Sequence, residues 1–427
     1  MQLTPIRGRL VADEHARRVV APPYDALTPE QRRAHVAAQP DSYLAVLPVA
    51  GDRYDDHEAN LAALDRLLST GRFRPATEPA LLIQELSTEH GRIRAVLGDL
   101  PASAYRDGRV RPHESVRADR VDALAEHLRT VGVVSSPVSV IHPPDPQVAR
   151  LTDEQVSAPP DLDSTLLDGT HLRVWVVADP EARGALSRAL AAAGPLTVAD
   201  GHHRAAAVGA ALGDDGPVLT AVSPADHLDV LAFHRRVEGL GDVEVAAVRD
   251  VLPVALRPLE RPDATPARGT VHLSVAGHWF SLELPAPDDG DVSHGRDGRD
   301  PVAALDASRA QSGVVERLRT LADDPAAVRV VPVPATAGPE PLSRPGSVGL
   351  ALHPPSIDEL LTVASVGAQM PFKSTYLVPK LRSGVVVVAR TATAMERLRT
   401  TAAHAPGPGP DDPGHSRGSD PDLPGSD

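Results

Sequence analysis

A sequence of 427 residues with 42% hydrophobic and 23% charged side chains has an ordinary globular composition and is long enough to bury a large core. Its net charge of −14 and aromatic content of 3% argue against a nucleic-acid partner. Proteins that bind nucleic acids neutralise phosphates with basic faces and stack bases on aromatic rings. The lack of cysteine excludes disulfides, thiolate nucleophiles and cysteine-bound zinc.

The sequence also predicts a protein with no membrane partner. No apolar run approaches the ~18 residues of a membrane span, and the first residues lack the apolar core of a signal peptide. We therefore expect a cytoplasmic location.

Strand-like and helix-like patterns alternate along the chain and predict a mixed α/β (α+β) protein. Strands are predicted at 81–83 and 173–177, and a hairpin at 270–275 and 278–284. Helices are predicted at 119–128, 180–193 and 305–321, with another opening at Ser356. A polar segment at 285–301 is typical of a surface loop, and 402–427, nearly all Pro, Gly, Ala, Asp and Ser, is typical of a disordered acidic tail. These patterns divide the chain into subdomains at 1–160, 161–285 and 301–401, followed by the tail.

The segment Arg111-Pro112-His113-Glu114 is the first in chain order that could carry chemistry. Glu114 could act as a general base, and Arg111 and His113 could bind an anionic substrate. A glutamate ahead of a helix is more often a solvated surface residue, so the segment by itself is a weak signal.

The sharpest local pattern is a buried strand ending at Asp200, a glycine at 201, and a helix over 205–212. A helix that opens in this way presents free backbone N–H groups and the positive end of its dipole, which together bind anions. Gly201 allows close approach of a phosphate, Arg204 can hold two of its oxygens, and His202 and His203 can donate to it. Two alternatives remain open: a metal site of Asp200 with the two histidines, or a helix that is merely capped by Asp200.

Lysine use marks the third segment. All but two of the 43 basic side chains are arginine, and the two lysines, Lys373 and Lys380, lie seven positions apart. A lysine ammonium is compact and rotatable, whereas the arginine guanidinium is a rigid planar fork. Lys373, Ser374 and Thr375 therefore predict contact with phosphate, and Lys380 contact with the substrate; drift with chance clustering is the alternative.

These motifs resemble an uncharacterised bacterial family, the domain of unknown function ten-fifteen. The resemblance rests on Pro5–Gly8, Val20–Asp25, Arg111–Glu114, Asp168–Trp175, Asp200–Arg204 and Met370–Tyr376, which occur in the same order and cover nearly the whole chain apart from the tail. The resemblance adds Tyr24, in the second of these motifs, to the expected substrate-binding residues.

The family in turn is similar to a superfamily that includes ParB nucleases and CTPases, sulfiredoxin and the archaeal free serine kinase. This implies a ParB/sulfiredoxin-like phosphate-binding core, which we expect within 161–285, with additional α/β subdomains. The turn Asp200-Gly201-His202-His203-Arg204 resembles that of the free serine kinase most. The resemblance implies that Asp200 acts as a catalytic acid residue and that Gly201 to Arg204 hold the phosphates. Glu114 is the candidate base by its chemistry rather than by this resemblance.

We therefore expect a small-molecule phosphotransferase that acts on the hydroxyl of serine or a related amino acid. A nucleotide or pyrophosphate would be the donor and Mg²⁺ the expected cofactor. Two other hypotheses stay open: a nucleotide-binding sensor of the ParB type, and a metal-dependent phosphohydrolase built on Asp200, His202 and His203.

Overall fold

The computed structural model describes residues 1–24, 27–48, 56–74, 78–263, 265–286 and 300–400. The predicted tail, most of the predicted loop at 285–301 and Asp25 lie outside these ranges.

Strands and helices are interspersed along the chain, and the prediction of a mixed α/β protein is confirmed. The strands are β1 (Gly8–Leu10), β2 (Leu81–Thr88), β3 (Gly91–Pro101), β4 (Val110–Arg111), β5 (Val133–Val134), β6 (Val138–His142), β7 (Leu162–Thr165), β8 (His171–Val177), β9 (Leu196–Asp200), β10 (Pro217–Pro224), β11 (Asp229–Glu238), β12 (Arg257–Leu259), β13 (Thr270–Val275), β14 (His278–Glu283), β15 (Arg329–Pro334), β16 (Ser347–Ala351), β17 (Thr375–Val378) and β18 (Val386–Ala389). The helices are α1 (Asp13–Val19), α2 (Pro29–Ala38), α3 (His57–Ser69), α4 (Ser103–Arg106), α5 (Ala118–Val131), α6 (Pro146–Val156), α7 (Pro180–Ala192), α8 (His202–Leu212), α9 (Val245–Val251), α10 (Asp306–Ala310), α11 (Glu316–Arg319), α12 (Ile357–Ser365) and α13 (Ala392–Thr400).

Local chemistry explains where the predicted helices begin. The carboxylate of Asp179 accepts a hydrogen bond from the Ala182 N–H at 2.8 Å, and Pro180 occupies the first turn of α7. In α12, Ser356 and Glu359 form a reciprocal capping box. These caps satisfy N–H groups that lack partners within the helix, so both starts agree with the sequence.

An eight-stranded mixed sheet carries the turn at Asp200. Its strand order is β4-β9-β6-β10-β3-β2-β8-β7, with β9 parallel to β4 and antiparallel to β6. Val198 of β9 packs with Ala205 and Val208 of α8 in one apolar cluster. The sheet joins strands from both sides of residue 160, so the predicted boundary between 1–160 and 161–285 runs through it.

Two further sheets hold the lysine segment at both of its ends. The first part of β11 pairs with β17, and its second part pairs with β15 and β16 in a larger sheet. Beyond β17, β18 lies between β1 and β5. The backbone from 379 to 385, which carries Lys380, therefore runs between two strands that are both paired.

Candidate active site

The turn between β9 and α8 combines a glycine with a helix N-terminus. The helix begins at His202, three residues before the predicted start, and Gly201 is its N-cap with φ of 101°. This left-handed conformation favours glycine. A Cβ at position 201 would also lie 2.9 Å from Nε of Arg204, whose side chain folds back over the turn. Asp200 does not cap the helix, so the alternative of a merely Asp-capped helix is wrong.

Asp200 lies among three cationic side chains. Arg204 donates to Asp200 Oδ2 and, at 2.5 Å, to the carbonyl of Pro137, while Lys380 Nζ lies 3.7 Å from Asp200 Oδ1. Burial by itself would raise the pKa of Asp200, but Lys380, Arg204 and Lys373 outweigh it and hold that pKa well below its usual range. Asp200 is therefore an ionised carboxylate and a weak base.

The pKa of Glu114 is shifted in the opposite direction. Burial raises the pKa of Glu114, and the charge of Lys373 offsets only part of that effect. A main-chain bridge to Met370 fixes its position, and its Oε1 lies 3.4 Å from the hydroxyl of Thr375. Tertiary contacts have thus turned a residue with a weak sequence signal into a carboxylate of raised basicity.

A chain of polar groups runs from Glu114 into the core. His113 Nδ1 donates to the carbonyl of Val198 at 2.7 Å, so its Nε2 accepts from the hydroxyl of Thr375 at 3.1 Å. Burial lowers the pKa of His113 to about 4, which keeps this ring neutral. The Thr375 hydroxyl also lies within donating distance of Glu114 Oε1, at 3.4 Å, and this contact lowers the pKa of Glu114 by less than burial raises it. Burial is therefore what favours the protonated form of Glu114, and the contact with Thr375 fixes the position of the carboxylate.

The two adjacent histidines are neutral and have backbone partners. His202 Nε2 accepts from the N–H of His113 at 3.3 Å, and His203 Nε2 accepts from the N–H of Arg117 at 3.0 Å. Burial lowers the pKa of both rings, to about 4 for His203 and well below the usual value for His202. In the described part of the chain no group of three or more His, Asp or Glu side chains could hold a metal ion, and this includes Asp200 with its two histidines.

Lys373 is held in an uncommon backbone conformation, with φ of 56°. The buried guanidinium of Arg235 donates to the carbonyl oxygens of Lys373 at 2.9 Å and Phe372 at 3.1 Å. The Lys373 ammonium lies 5.1 Å from the centre of the Phe233 ring. The conformation persists because these surroundings fix it, and they also fix where the ammonium lies.

Most of these groups line one cavity of about 80 Å³, which we call the main cavity. The predicted residues that line it are Tyr24, Glu114, Asp200, Gly201, His202, His203, Arg204, Lys373 and Lys380. Both lysines of the sequence therefore border the same space as the Asp200 turn. Residues 114, 200 and 373, which lie far apart along the chain, come together only through folding.

Four predicted residues do not border the main cavity. Arg111 lies in β4 opposite Thr197, and His113 is fully buried behind Glu114. The hydroxyl of Ser374 donates to the carbonyl of Pro371 at 2.6 Å, and Thr375 contacts His113 and Glu114. Ser374 and Thr375 thus have protein partners where the sequence predicted phosphate, and Thr375 orients the carboxylate.

Two cations at the site were missed from the sequence. Arg120 borders the main cavity, and its only sequence signal is its place six residues after Glu114. Arg235 was missed because its side chain is buried and acts through hydrogen bonds to backbone carbonyl oxygens.

An apolar cavity of about 80 Å³ adjoins the main cavity. The two cavities share Tyr24, Pro48, Leu124 and Arg204. His127 also lines the apolar cavity, and its Nδ1 is buried with no hydrogen-bond partner among the described residues. Apolar walls with a few polar atoms are typical of sites for flat organic groups.

Comparison with known proteins gives a family and several distant structures. A family model described as a protein of unknown function (DUF1015) matches residues 3–308. A search of curated proteins found no match. In the described part of this chain no helix has the length and apolar character to span a bilayer.

The solved structures that resemble this chain do so at low identity. A mutant of free serine kinase in complex with ADP shares 12% identity over 69% of this chain and 92% of its own, with a TM-score of 0.36. SbnI with a C-terminal truncation, from Staphylococcus aureus, shares 12% identity over 72% of this chain and 95% of its own, with a TM-score of 0.37. A conserved hypothetical protein from Pyrococcus furiosus shares 13% identity over 66% of this chain and 90% of its own, with a TM-score of 0.32. TM-scores of 0.32 to 0.37 are too low to support conclusions about this chain. The ParB/sulfiredoxin-like core therefore stays a prediction.

Proposed function

This chain belongs to the family of proteins of unknown function DUF1015, and we propose that it is a small-molecule phosphotransferase whose acceptor is the hydroxyl of a free amino acid such as serine. One observation carries the proposal: Lys373, Lys380 and Arg204 border the same cavity as Glu114 and Asp200. Phosphoryl transfer needs clustered cations for the phosphates and one base for the hydroxyl, and little else from the protein.

The donor phosphates would lie at the N-terminus of α8. The backbone N–H groups that follow Gly201, together with Arg204 and Lys373, offer donors and positive charge to the phosphate oxygens. Where Mg²⁺ is bound, one or two carboxylates and the donor phosphates would supply its ligands and waters the rest, so Asp200 is the residue that fits such a site. The ion would neutralise phosphate charge.

Glu114 is the better base of the two carboxylates. Its pKa is raised by burial, whereas the pKa of Asp200 is held low by Lys380, Arg204 and Lys373 against the effect of burial. In the reaction the acceptor oxygen forms a bond to phosphorus as its proton passes to Glu114. The bond from phosphorus to the bridging oxygen breaks, and the leaving phosphate keeps that electron pair beside the cationic side chains.

The apolar cavity favours a nucleotide over pyrophosphate as the donor. It adjoins the main cavity at Arg204, and its mainly apolar lining suits the flat base that pyrophosphate lacks. A nucleotide-binding sensor would use the same two cavities, so transfer to an acceptor is what separates the two functions. The metal-dependent phosphohydrolase has less support, because Asp200 with His202 and His203 does not form a metal-binding group.

The test follows phosphorus NMR of the protein with Mg²⁺ and L-serine and, in turn, ATP, ADP and pyrophosphate. We expect an O-phosphoserine signal with a nucleotide, and its loss in Asp200→Asn. The exposed Asp119→Asn serves as a matched control that should keep the signal. Nucleotide binding without any phosphoserine would contradict transfer and favour the sensor.

A further inference from the structure

A third cavity, which we call the side cavity, meets the main cavity at Glu114. Its volume is about 480 Å³, against about 80 Å³ for the main cavity, and Glu114 and His202 line both. Apolar side chains make up most of its wall, among them Pro112, Val116 and Val198. The proposed base therefore borders a larger and less polar space than the one in which the donor phosphates would lie.

The side cavity and the apolar cavity lie on opposite faces of α8. Each cavity is lined by its own set of residues from this helix: Ala205, Ala206, Gly209 and Ala210 line the side cavity, and Arg204, Ala207 and Val208 line the apolar cavity. Because an α-helix turns by about 100° per residue, the two sets point in opposite directions. The N-terminal end of the helix, at Gly201 and His202, borders the main cavity between them.

This arrangement suits a reaction between two bound molecules. In phosphoryl transfer the attacking and leaving oxygens lie roughly in line on either side of the phosphorus. With the donor's base in the apolar cavity and its phosphates at the N-terminus of α8, the side cavity reaches the phosphates from the other face of the helix. Glu114 lies where the side cavity and the main cavity meet, so an acceptor in the side cavity has its hydroxyl next to the base.

Gly209 keeps the side cavity open at the expense of helix stability. It lies inside α8, where glycine is less stable than alanine, and its φ is not positive. A Cβ at this position would meet only the Cβ of Ala102, at 3.6 Å, which is an ordinary van der Waals contact. Neither the backbone nor the packing therefore requires glycine at position 209, and the open space beside it is what the glycine preserves.

The polarity of the side cavity changes along α8. Glu114 and His202 lie at the N-terminal end of this helix, which is about 15 Å long, and Arg106 and Asp214 lie at the other end. Arg106 donates to both carboxylate oxygens of Asp214, and both side chains are exposed. A charged head group loses less hydration at this exposed end than among the apolar residues beside Glu114. A molecule with several methylene groups between its hydroxyl and its charged head group fits this change in polarity better than serine does.

We propose that the side cavity binds the phosphoryl acceptor, and that this acceptor is a hydroxy amino acid with more methylene groups between hydroxyl and head group than serine has. The role as acceptor rests on the proposed function, whereas binding in the side cavity does not. In the reaction the hydroxyl oxygen bonds to the phosphorus as its proton passes to Glu114, and the bridging oxygen of the donor leaves with its electron pair. The methylene chain stays against the apolar wall.

The experiment measures binding without donor, so that it does not depend on turnover. Titration calorimetry compares L-serine, L-homoserine, ω-hydroxynorvaline and ω-hydroxynorleucine, which share one head group and carry from one to four methylene groups. We expect the dissociation constant to fall about two- to fourfold with each added methylene group, which is the contribution of a CH₂ group that leaves water for an apolar wall.

Two variants fill the side cavity without touching the main or the apolar cavity. Gly209→Leu and Ala206→Leu should each weaken binding of ω-hydroxynorleucine about tenfold or more and that of serine less, while ADP affinity stays the same. Gly184→Leu is the matched control, because Gly184 also lies inside a helix, α7, and lines none of the three cavities. If Gly209→Leu does not fold, Ala206→Leu decides.

Three results would overturn the proposal. They are equal affinity for all four amino acids or no binding of any of them, an unchanged preference for the longer ones in both filling variants, and a loss of ADP affinity as large as the loss for ω-hydroxynorleucine. The proposed function fails separately. A preference for longer chains that the filling variants abolish, without any phosphorylated product, would keep the side cavity assigned and remove the transfer. Phosphoserine formed without such a preference would keep the transfer and remove the side cavity.

Discussion

At the scale of single residues, two carboxylates that border one cavity differ because their neighbours differ. Three cations surround Asp200 and lower its pKa by more than burial raises it. At Glu114 burial raises the pKa, and the charge of Lys373 offsets only part of that rise. A proton acceptor has to be basic enough to take a proton, whereas a residue that orders cations has to stay charged. The two shifts therefore give the two residues different tasks.

Glu114→Gln should lower the transfer rate by roughly 10²–10⁴-fold, the usual contribution of a general base, with donor affinity retained. In the wild type the rate should fall as the pH drops through the raised pKa of Glu114, because only the ionised form accepts a proton. A pH profile of phosphoserine formation checks this. The exposed Glu126→Gln on α5 is the matched control, and equal rates in both variants would remove Glu114 from the mechanism.

The same substitution should make the protein more stable. A carboxyl whose pKa is raised by folding contributes stability below its unfolded pKa of about 4.3, and that contribution is lost as the pH rises through the folded pKa. Glu114→Gln does not ionise, so its melting temperature should exceed that of the wild type at pH 7 and the excess should shrink towards pH 4. A constant difference at all pH values would contradict this account.

Lys373→Arg tests why lysine stands where the chain otherwise uses arginine. The ammonium lies 5.1 Å from the Phe233 ring on a backbone with φ of 56°, and a longer planar guanidinium cannot occupy that position unchanged. We expect about tenfold weaker donor binding although the charge is kept. The reciprocal control is Arg268→Lys on the surface, which should leave donor binding unchanged. Undiminished donor binding in Lys373→Arg would show that the site does not need lysine at this position.

At the scale of elements, the strand–turn–helix at β9 and α8 depends on one glycine. Gly201→Ala introduces a Cβ at a φ of 101° and 2.9 Å from the Arg204 guanidinium, which Asp200 and Pro137 hold in place. Gly213, at the other end of α8, also has a positive φ, but a Cβ there would meet nothing within 4 Å. Gly213→Ala is therefore a control that introduces backbone strain, of about 1–3 kcal/mol, without a clash at the cavity.

Urea unfolding and donor titration compare the two glycine variants. Both should lose stability, but only Gly201→Ala should also weaken donor binding, because only there is an arginine displaced from the cavity. Equal donor affinity in the two variants would show that the position of Arg204 does not matter for binding.

At the scale of the whole molecule, buried neutral histidines predict sensitivity to mild acid. Burial lowers the pKa of His113 and His234 to about 4 and that of His127 to about 3. A lowered histidine pKa contributes stability that is complete above the unfolded value of about 6.5 and is lost as the pH falls towards the folded value. Between these two pKa values, each such histidine lowers the free energy of unfolding by about 1.4 kcal/mol for each unit by which the pH falls.

The free energy of unfolding should therefore fall steadily from pH 7 to pH 5 in urea titrations. His127→Phe should flatten that slope, because the replacement removes one titrating ring whose Nδ1 has no hydrogen bond to lose among the described residues. A slope that stays flat in the wild type would rule out the buried histidines as its cause.

Local elements could be predicted from the sequence because their causes are local. Pro180 and Ser356 mark helix starts through caps that involve only a few neighbouring residues. In the hairpin of β13 and β14, Ala276 and Gly277 take the positive φ values that a two-residue turn needs. The start of α8 lies three residues before the predicted one, because the two histidines after Gly201 carry no strong helix signal of their own.

The sequence by itself determined the mixed α/β class, the turn at Gly201 and the segments that hold the chemistry, since periodicity, capping and residue choice act over a few neighbours. Only the tertiary structure decided that Glu114 and both lysines border the cavity of Asp200, that Ser374 and Thr375 bond to the protein, and that Glu114 also borders the side cavity. Strand pairing over more than a hundred residues sets those distances. Burial and neighbouring charge then set the pKa values, and neither can be read from the residues next to a group in the chain.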